Sequence, residues 1–132
     1  MRKLIIVFLY ILIWKVGLTQ KEVTVFESGK EGYASFRIPS VVKLPNHKIL
    51  AFAEGRVNGG ADFGNIKIVL KSSDDQGKTW SDPLRISFYA GDCLDGDNTV
   101  EGAVPALGQH GEIYVTWSGP MGLVMQKSLD GG

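Results

Sequence analysis

The residue whose type and setting ask most directly for chemistry is Arg37, in the run Phe36-Arg37-Ile38-Pro39. On an extended strand Phe36 and Ile38 share one face and Arg37 projects from the other. A guanidinium flanked by core-forming side chains is costly unless an anion meets it. Its planar fork grips a carboxylate through two parallel hydrogen bonds. The partner is therefore either an anionic substrate or an internal Glu or Asp. Other reactive groups offer less. Cys93 is the sole cysteine, which allows no intrachain disulfide and no zinc site of the usual spacing. His47 and His110 both stand in turn-like segments, where a surface histidine is the default. Asp92, Asp95, Asp97 and Glu101 bring several oxygen ligands close together, but without the spacing of an EF-hand, so no metal or other cofactor is assigned.

A second pattern is structural. Ser73, Asp75, Gly77, Thr79 and Trp80 spell Ser-x-Asp-x-Gly-x-Thr-Trp, and Ser128, Asp130 and Gly132 repeat its first half. The two serines are roughly 55 residues apart, about the length of one propeller blade. Each residue type suits a hairpin turn. The carboxylate accepts hydrogen bonds from turn N–H groups, glycine supplies a positive φ, and tryptophan packs beneath. This is the Asp-box, a structural device to which no catalysis is assigned.

The elements that would carry these residues read as strands. No amphipathic helix of useful length follows the first twenty residues. Strands are expected over 36–44, 48–53, 66–71 and 80–86, with a long glycine-bearing loop over 54–64. The alternation is clearest where Ile66, Ile68 and Leu70 share one face and Lys67, Val69 and Lys71 the other. The pattern restarts with strands over 102–107, 112–118 and 123–128. Four antiparallel strands make a blade, so the expected fold is an all-β propeller of four-stranded antiparallel blades, with a first blade and most of a second present.

Fourteen basic residues balance fourteen acidic ones, which argues against nucleic acid as a partner. The 17 glycines, gathered between short apolar runs, fit many strands joined by tight turns. Residues 1–20 have a basic head, an apolar run over 4–14 and a small, polar tail. A membrane-spanning helix needs about 20 apolar residues, so this segment reads as a secretory signal peptide, with an uncleaved anchor as the alternative. The expectation is an exported protein, secreted, periplasmic or at the cell surface, with no stable membrane span after cleavage. Residues 21–132 would then be the N-terminal part of a propeller, truncated within its second blade.

The tetrapeptide around Arg37, with an Asp-box downstream, resembles the sialidase (neuraminidase) family over residues 33–87. The resemblance implies a six-bladed propeller that removes terminal sialic acid from glycoproteins, glycolipids and oligosaccharides, acting as a retaining exo-α-sialidase. It implies that Arg37 binds the sugar carboxylate. Arg56, just after the second strand, would line the pocket near the 4-hydroxyl. Asp62, on the following loop, would be the general acid/base, which calls for a carboxyl pKa raised under the bound sugar. Read from the residues alone, Asp62 is a solvated turn aspartate. The family's tyrosine nucleophile, its glutamate partner and two further arginines are expected in later blades, and Tyr33, Tyr89 and Tyr114 do not match the nucleophile's context. The family's Asn-Pro strand after the first Asp-box is here 100–105, where Pro105 lacks the asparagine before it. The chain alone is expected to be inactive. The rival reading is a non-catalytic Asp-box propeller that binds glycans or proteins.

Overall fold

Short segments that alternate in polarity, joined by tight turns, pair with their sequence neighbours, and this chain does so twice. A computed structural model describes residues 21–91 and 100–130. Strands β1 (Ser35–Lys43), β2 (Ile49–Arg56), β3 (Ile66–Ser73) and β4 (Leu84–Arg85) form one antiparallel sheet in chain order. Strands β5 (Glu101–Leu107), β6 (Ile113–Gly119) and β7 (Gly122–Ser128) form a second, also in chain order.

The two sheets share one core. Leu50, Phe52 and Ile68 of the first pack with Ala103, Ile113, Val115 and Trp117 of the second, together with Leu44 and Val100 from outside the strands. Ser40 Oγ donates to the Ala103 carbonyl at 2.6 Å across the junction. The opposite face of the first sheet is covered as well. The segment before β1 lies over it, where Lys71 Nζ donates to the Val25 carbonyl at 3.0 Å and to Glu31 Oε1 at 2.6 Å. Thus Val69 and Lys71, on the side opposite Ile68, are buried too.

Both sheets carry the same irregularity in their first strand. In β1 the pairing jumps from Arg37↔Glu54 to Ser40↔Phe52, so Ile38 and Pro39 together oppose one residue. In β5 it jumps from Glu101↔Ser118 to Val104↔Thr116. Each is a β-bulge, and each has a residue at positive φ, Ile38 at 49° and Gly102 at 66°. A β-branched residue pays conformational strain there, whereas glycine does not.

Three expectations need correction. Strand β2 runs through Glu54 to Arg56, so the loop begins at Val57. The fourth strand covers two residues, not 80–86. Pro83 has no N–H to give a ladder, and the Trp80 indole turns back to donate to the Gly77 carbonyl at 3.2 Å. Finally, the simple alternation about Arg37 fails at the bulge, and Ile38 is 48% exposed, not a core residue.

Candidate functional site

Strand pairing brings three charged side chains to one end of the first sheet. Arg37 stands opposite Glu54, and residues directly opposite in an antiparallel pair project to the same side. Arg56 lies two residues beyond Glu54 and therefore shares its face. The β1 bulge lets both Arg37 and Ser40, unlike in parity, face the second sheet. Strand β2 is closely packed here. A Cβ at Gly55 would sit 2.6 Å from the Tyr33 ring, so only glycine fits between Glu54 and Arg56.

The loop over 57–65 supplies the fourth group. Its ends are clamped by Val57 N–H donating to the Asn65 carbonyl at 3.0 Å and Asn65 N–H donating to Asn58 Oδ1 at 3.1 Å. Ser35 Oγ holds the Gly59 carbonyl at 2.9 Å. Gly59 and Gly64, with φ of 154° and 110°, let the chain double back over the strand ends. Asp62 is thereby laid over both arginines. Its Oδ1 accepts from Arg56 Nη1 at 2.9 Å and also from Arg37 Nη1. Arg56 Nη1 also donates to the Ala61 carbonyl and, at 3.3 Å, to that of Gly60.

Exposure divides this cluster in two. The side chains of Glu54 and Arg56 are 1% and 4% exposed, and those of Arg37 and Asp62 are 44% and 73% exposed. Glu54 Oε2 accepts from Arg56 Nη2 at 2.7 Å, and Oε1 accepts from the Gly102 N–H of the β5 bulge at 3.1 Å. Among the described residues, Arg56 Nε is buried without a hydrogen-bond partner. Burial opposes the charge of Arg56, but hydrogen bonds to Glu54 and Asp62 outweigh it and raise the guanidinium pKa. The hydrogen bond from Arg56, then the charge of Arg37, hold the Asp62 carboxyl below its ordinary value. That is opposite to the raised value a general acid needs. The two guanidinium groups keep Asp62 ionised, as the internal anion between Arg37 and Arg56.

The turn at 73–80 is built differently. Asp75 Oδ1 accepts from the N–H groups of Lys78 and Thr79, each at 2.9 Å, and from Ser73 Oγ at 2.8 Å. Its Oδ2 accepts from Thr79 Oγ1 at 2.6 Å. Ser73 Oγ accepts from Gly77 N–H at 2.8 Å, and Gly77 has a φ of 86°. Ser128 Oγ donates to Asp130 Oδ1 at 2.6 Å, repeating the Ser73–Asp75 contact.

Glu54 is the residue that sequence reading passed over. Its signal was present: an acid closing the apolar stretch of β2, two positions before an arginine. Arg37, Arg56 and Asp62 come together, whereas His47 and His110 are exposed in turns away from them. Tyr33 packs on Phe36, Tyr89 on Phe88, and Tyr114 lies under Lys127 Nζ. Cys93, Asp92, Asp95, Asp97, Gly132 and the apolar segment 1–20 lie outside the described residues. Among the described residues no helix is long and apolar enough to cross a membrane.

No protein-family model matches the chain. Curated relatives do. An exo-alpha-sialidase of Aspergillus fumigatus is 34% identical over 131 aligned residues, covering 76% of this chain and 32% of the relative. Sialidase B of Streptococcus pneumoniae is 39% identical over 62 residues, covering 46% of this chain and 9% of that protein. Among solved structures, the Hadza microbial sialidase Hz136 superposes with a TM-score of 0.65 at 22% identity, over 85% of this chain and 29% of that one. The last is a likeness of fold. The chain spans about a third of the length of the Aspergillus relative.

Proposed function

Because the chain is related in sequence and in fold to the sialidases, we propose that it is the exported first part of an exo-α-sialidase, a retaining glycoside hydrolase acting on sialylated glycoproteins, glycolipids and oligosaccharides. On this reading residues 1–20 are the signal peptide. The two sheets are successive blades of a β-propeller, and the 73–80 turn is its first Asp-box. The observation that carries the reading is the convergence of Arg37 and Arg56 on one oxygen of Asp62.

Sialic acid bears its carboxylate on the anomeric carbon, beside the bond to be cut. When that carboxylate enters the cleft, it takes the place of Asp62 at Arg37, where the planar fork suits it. Asp62 then loses the contacts that hold its pKa down. Released beside the sugar and shielded from water, its carboxyl pKa rises and it can protonate the departing glycosidic oxygen. Its conjugate base later takes a proton from the attacking water. Arg56, buried and anchored, stays in the pocket wall near the 4-hydroxyl. The nucleophile is a tyrosine, as in other sialidases, and none of the described tyrosines is given that role.

The test is hydrolysis of a fluorogenic sialoside by the full-length protein carrying these residues, with a neutral galactoside of the same leaving group as control. Turnover of the sialoside alone, releasing the α-anomer first, supports the reading. Binding of sialylated glycans without turnover would instead make the protein a glycan-binding relative.

A further inference from the structure

Glu54 belongs to no expected role, yet it is the most buried charged group of the cluster, and both its oxygens are engaged. One accepts from Arg56 Nη2 at 2.7 Å and the other from the Gly102 N–H at 3.1 Å. We propose that Glu54 is a positioning residue, which pins the Arg56 guanidinium in one orientation and ties it to the bulge of the second sheet. The catalytic consequence drawn below rests on the sialidase reading.

A guanidinium is planar, so fixing its Nη2 end fixes the direction of Nη1. In Arg56 the Nη1 end faces the Gly60 and Ala61 carbonyls and Asp62. Asp62 is exposed and, on the proposed mechanism, leaves when substrate enters. Glu54 is the anionic partner that remains, and a buried arginine stripped of its counter-charge is strongly disfavoured. Glu54 also cancels the charge of Arg56. Once Asp62 has moved away, the uncompensated positive charge is that of Arg37, which suits a substrate with one carboxylate.

Glu54→Gln tests this with almost no change in shape. A carboxylate accepts at both oxygens, but an amide has one acceptor. Its NH2 must face either Arg56 Nη2 or the Gly102 N–H, both donors, so one of the two ties is lost, and an Arg56 tie that survives loses the charge that made it strong. The measurement is 15N-detected NMR of arginine side chains in the full-length protein, with Arg56 assigned by its loss in Arg56→Lys. In the native protein Arg56 should show separate, slowly exchanging Nη1 and Nη2 signals. In Glu54→Gln they should merge. KM for sialosides should rise on the order of 10²-fold, as expected for a misplaced positioning group, with kcat changed far less. Separate signals that persist in a folded Glu54→Gln variant would overturn the proposal, as would merged signals in the native protein. If Glu54→Gln does not fold, Asp62→Ala decides: Arg56 signals that stay separate without Asp62 support Glu54 as the group that holds the guanidinium, and merged signals there overturn the proposal. If the native protein turns over no sialoside, the proposed function fails, while the NMR result still judges the role of Glu54.

Discussion

Asp62 and Asp75 are both carboxylates that accept several hydrogen bonds, and both titrate below the ordinary value for aspartate. Their partners differ in kind. Asp75 is held by Ser73, Lys78 and Thr79, all within four residues, through two backbone N–H groups and two hydroxyls. No ligand can compete for those donors without unmaking the turn. Asp62 is held by the guanidinium of Arg56 and by that of Arg37, 25 residues away. These donors belong to strands that stay in place if the loop moves, so another anion can take over one of them. On the proposed mechanism, the origin of the donors is what separates the reactive aspartate from the structural one.

The sharpest way to break this contrast is to replace each acid in the full-length protein. On the proposed mechanism, Asp62→Asn should lower kcat on natural sialosides by roughly 10²–10⁴-fold, the usual worth of a general acid. On a substrate with an activated phenol leaving group, which needs little protonation, the loss should be much smaller. Equal losses on both substrates would remove Asp62 as the proton donor. Arg37→Lys, which trades a bidentate fork for a point charge, should act mainly by raising KM.

Next in size is Gly55→Ala, which probes the packing behind the cluster. A methyl group there meets the Tyr33 ring at 2.6 Å. Ring or strand must shift, at a cost of about 1–3 kcal/mol by denaturant unfolding. An unchanged midpoint would mean that Tyr33 yields freely and that β2 is looser than its packing indicates.

Asp75→Ala should leave kcat per folded molecule unchanged and lower the melting temperature. The pH dependence of that loss follows from its folded pKa of about 2, depressed by the Thr79 hydroxyl first and its N–H second, against an ordinary 3.8. A depressed acid stabilises the fold fully above its unfolded value and loses that contribution as pH falls through the folded one. The melting gap between native protein and variant should thus be constant above 3.8 and close as pH approaches about 2. A gap that persists in stronger acid would show that the stabilisation comes from something other than the ionised carboxylate.

The smallest effect is expected at the same turn. Lys48 and Asp74 approach at 4.0 Å, with the Asp74 side chain 81% exposed. Lys48→Ala should change stability by less than about 1 kcal/mol, as solvent-screened pairs do. A larger loss in thermal unfolding would show that the edge of the turn depends on charge as well as on Asp75.

What could be read along the chain was whatever depends on near neighbours. The turn at 73–80 uses partners inside its own eight residues, so its motif was legible as a hairpin device. The alternation of 66–71 marked β3, and the turns after Leu44 and Leu107 separated strands at nearly the right places. Three features could not be read that way. The β1 bulge depends on how Ile38 and Pro39 pair with Ala53 across the sheet, and it sets which way Arg37 faces. The extension of β2 to Arg56 comes from pairing with Ile66 on one side and Ser35 on the other. Glu54 gained its role only when folding set it beside Arg56 and opposite Gly102, 48 residues on. Local sequence encodes turn chemistry and side-chain period because both act over a few bonds. The aim of a side chain, and the company a buried charge keeps, are set by strand register and by the packing of two sheets, which residues far apart in the chain must supply together.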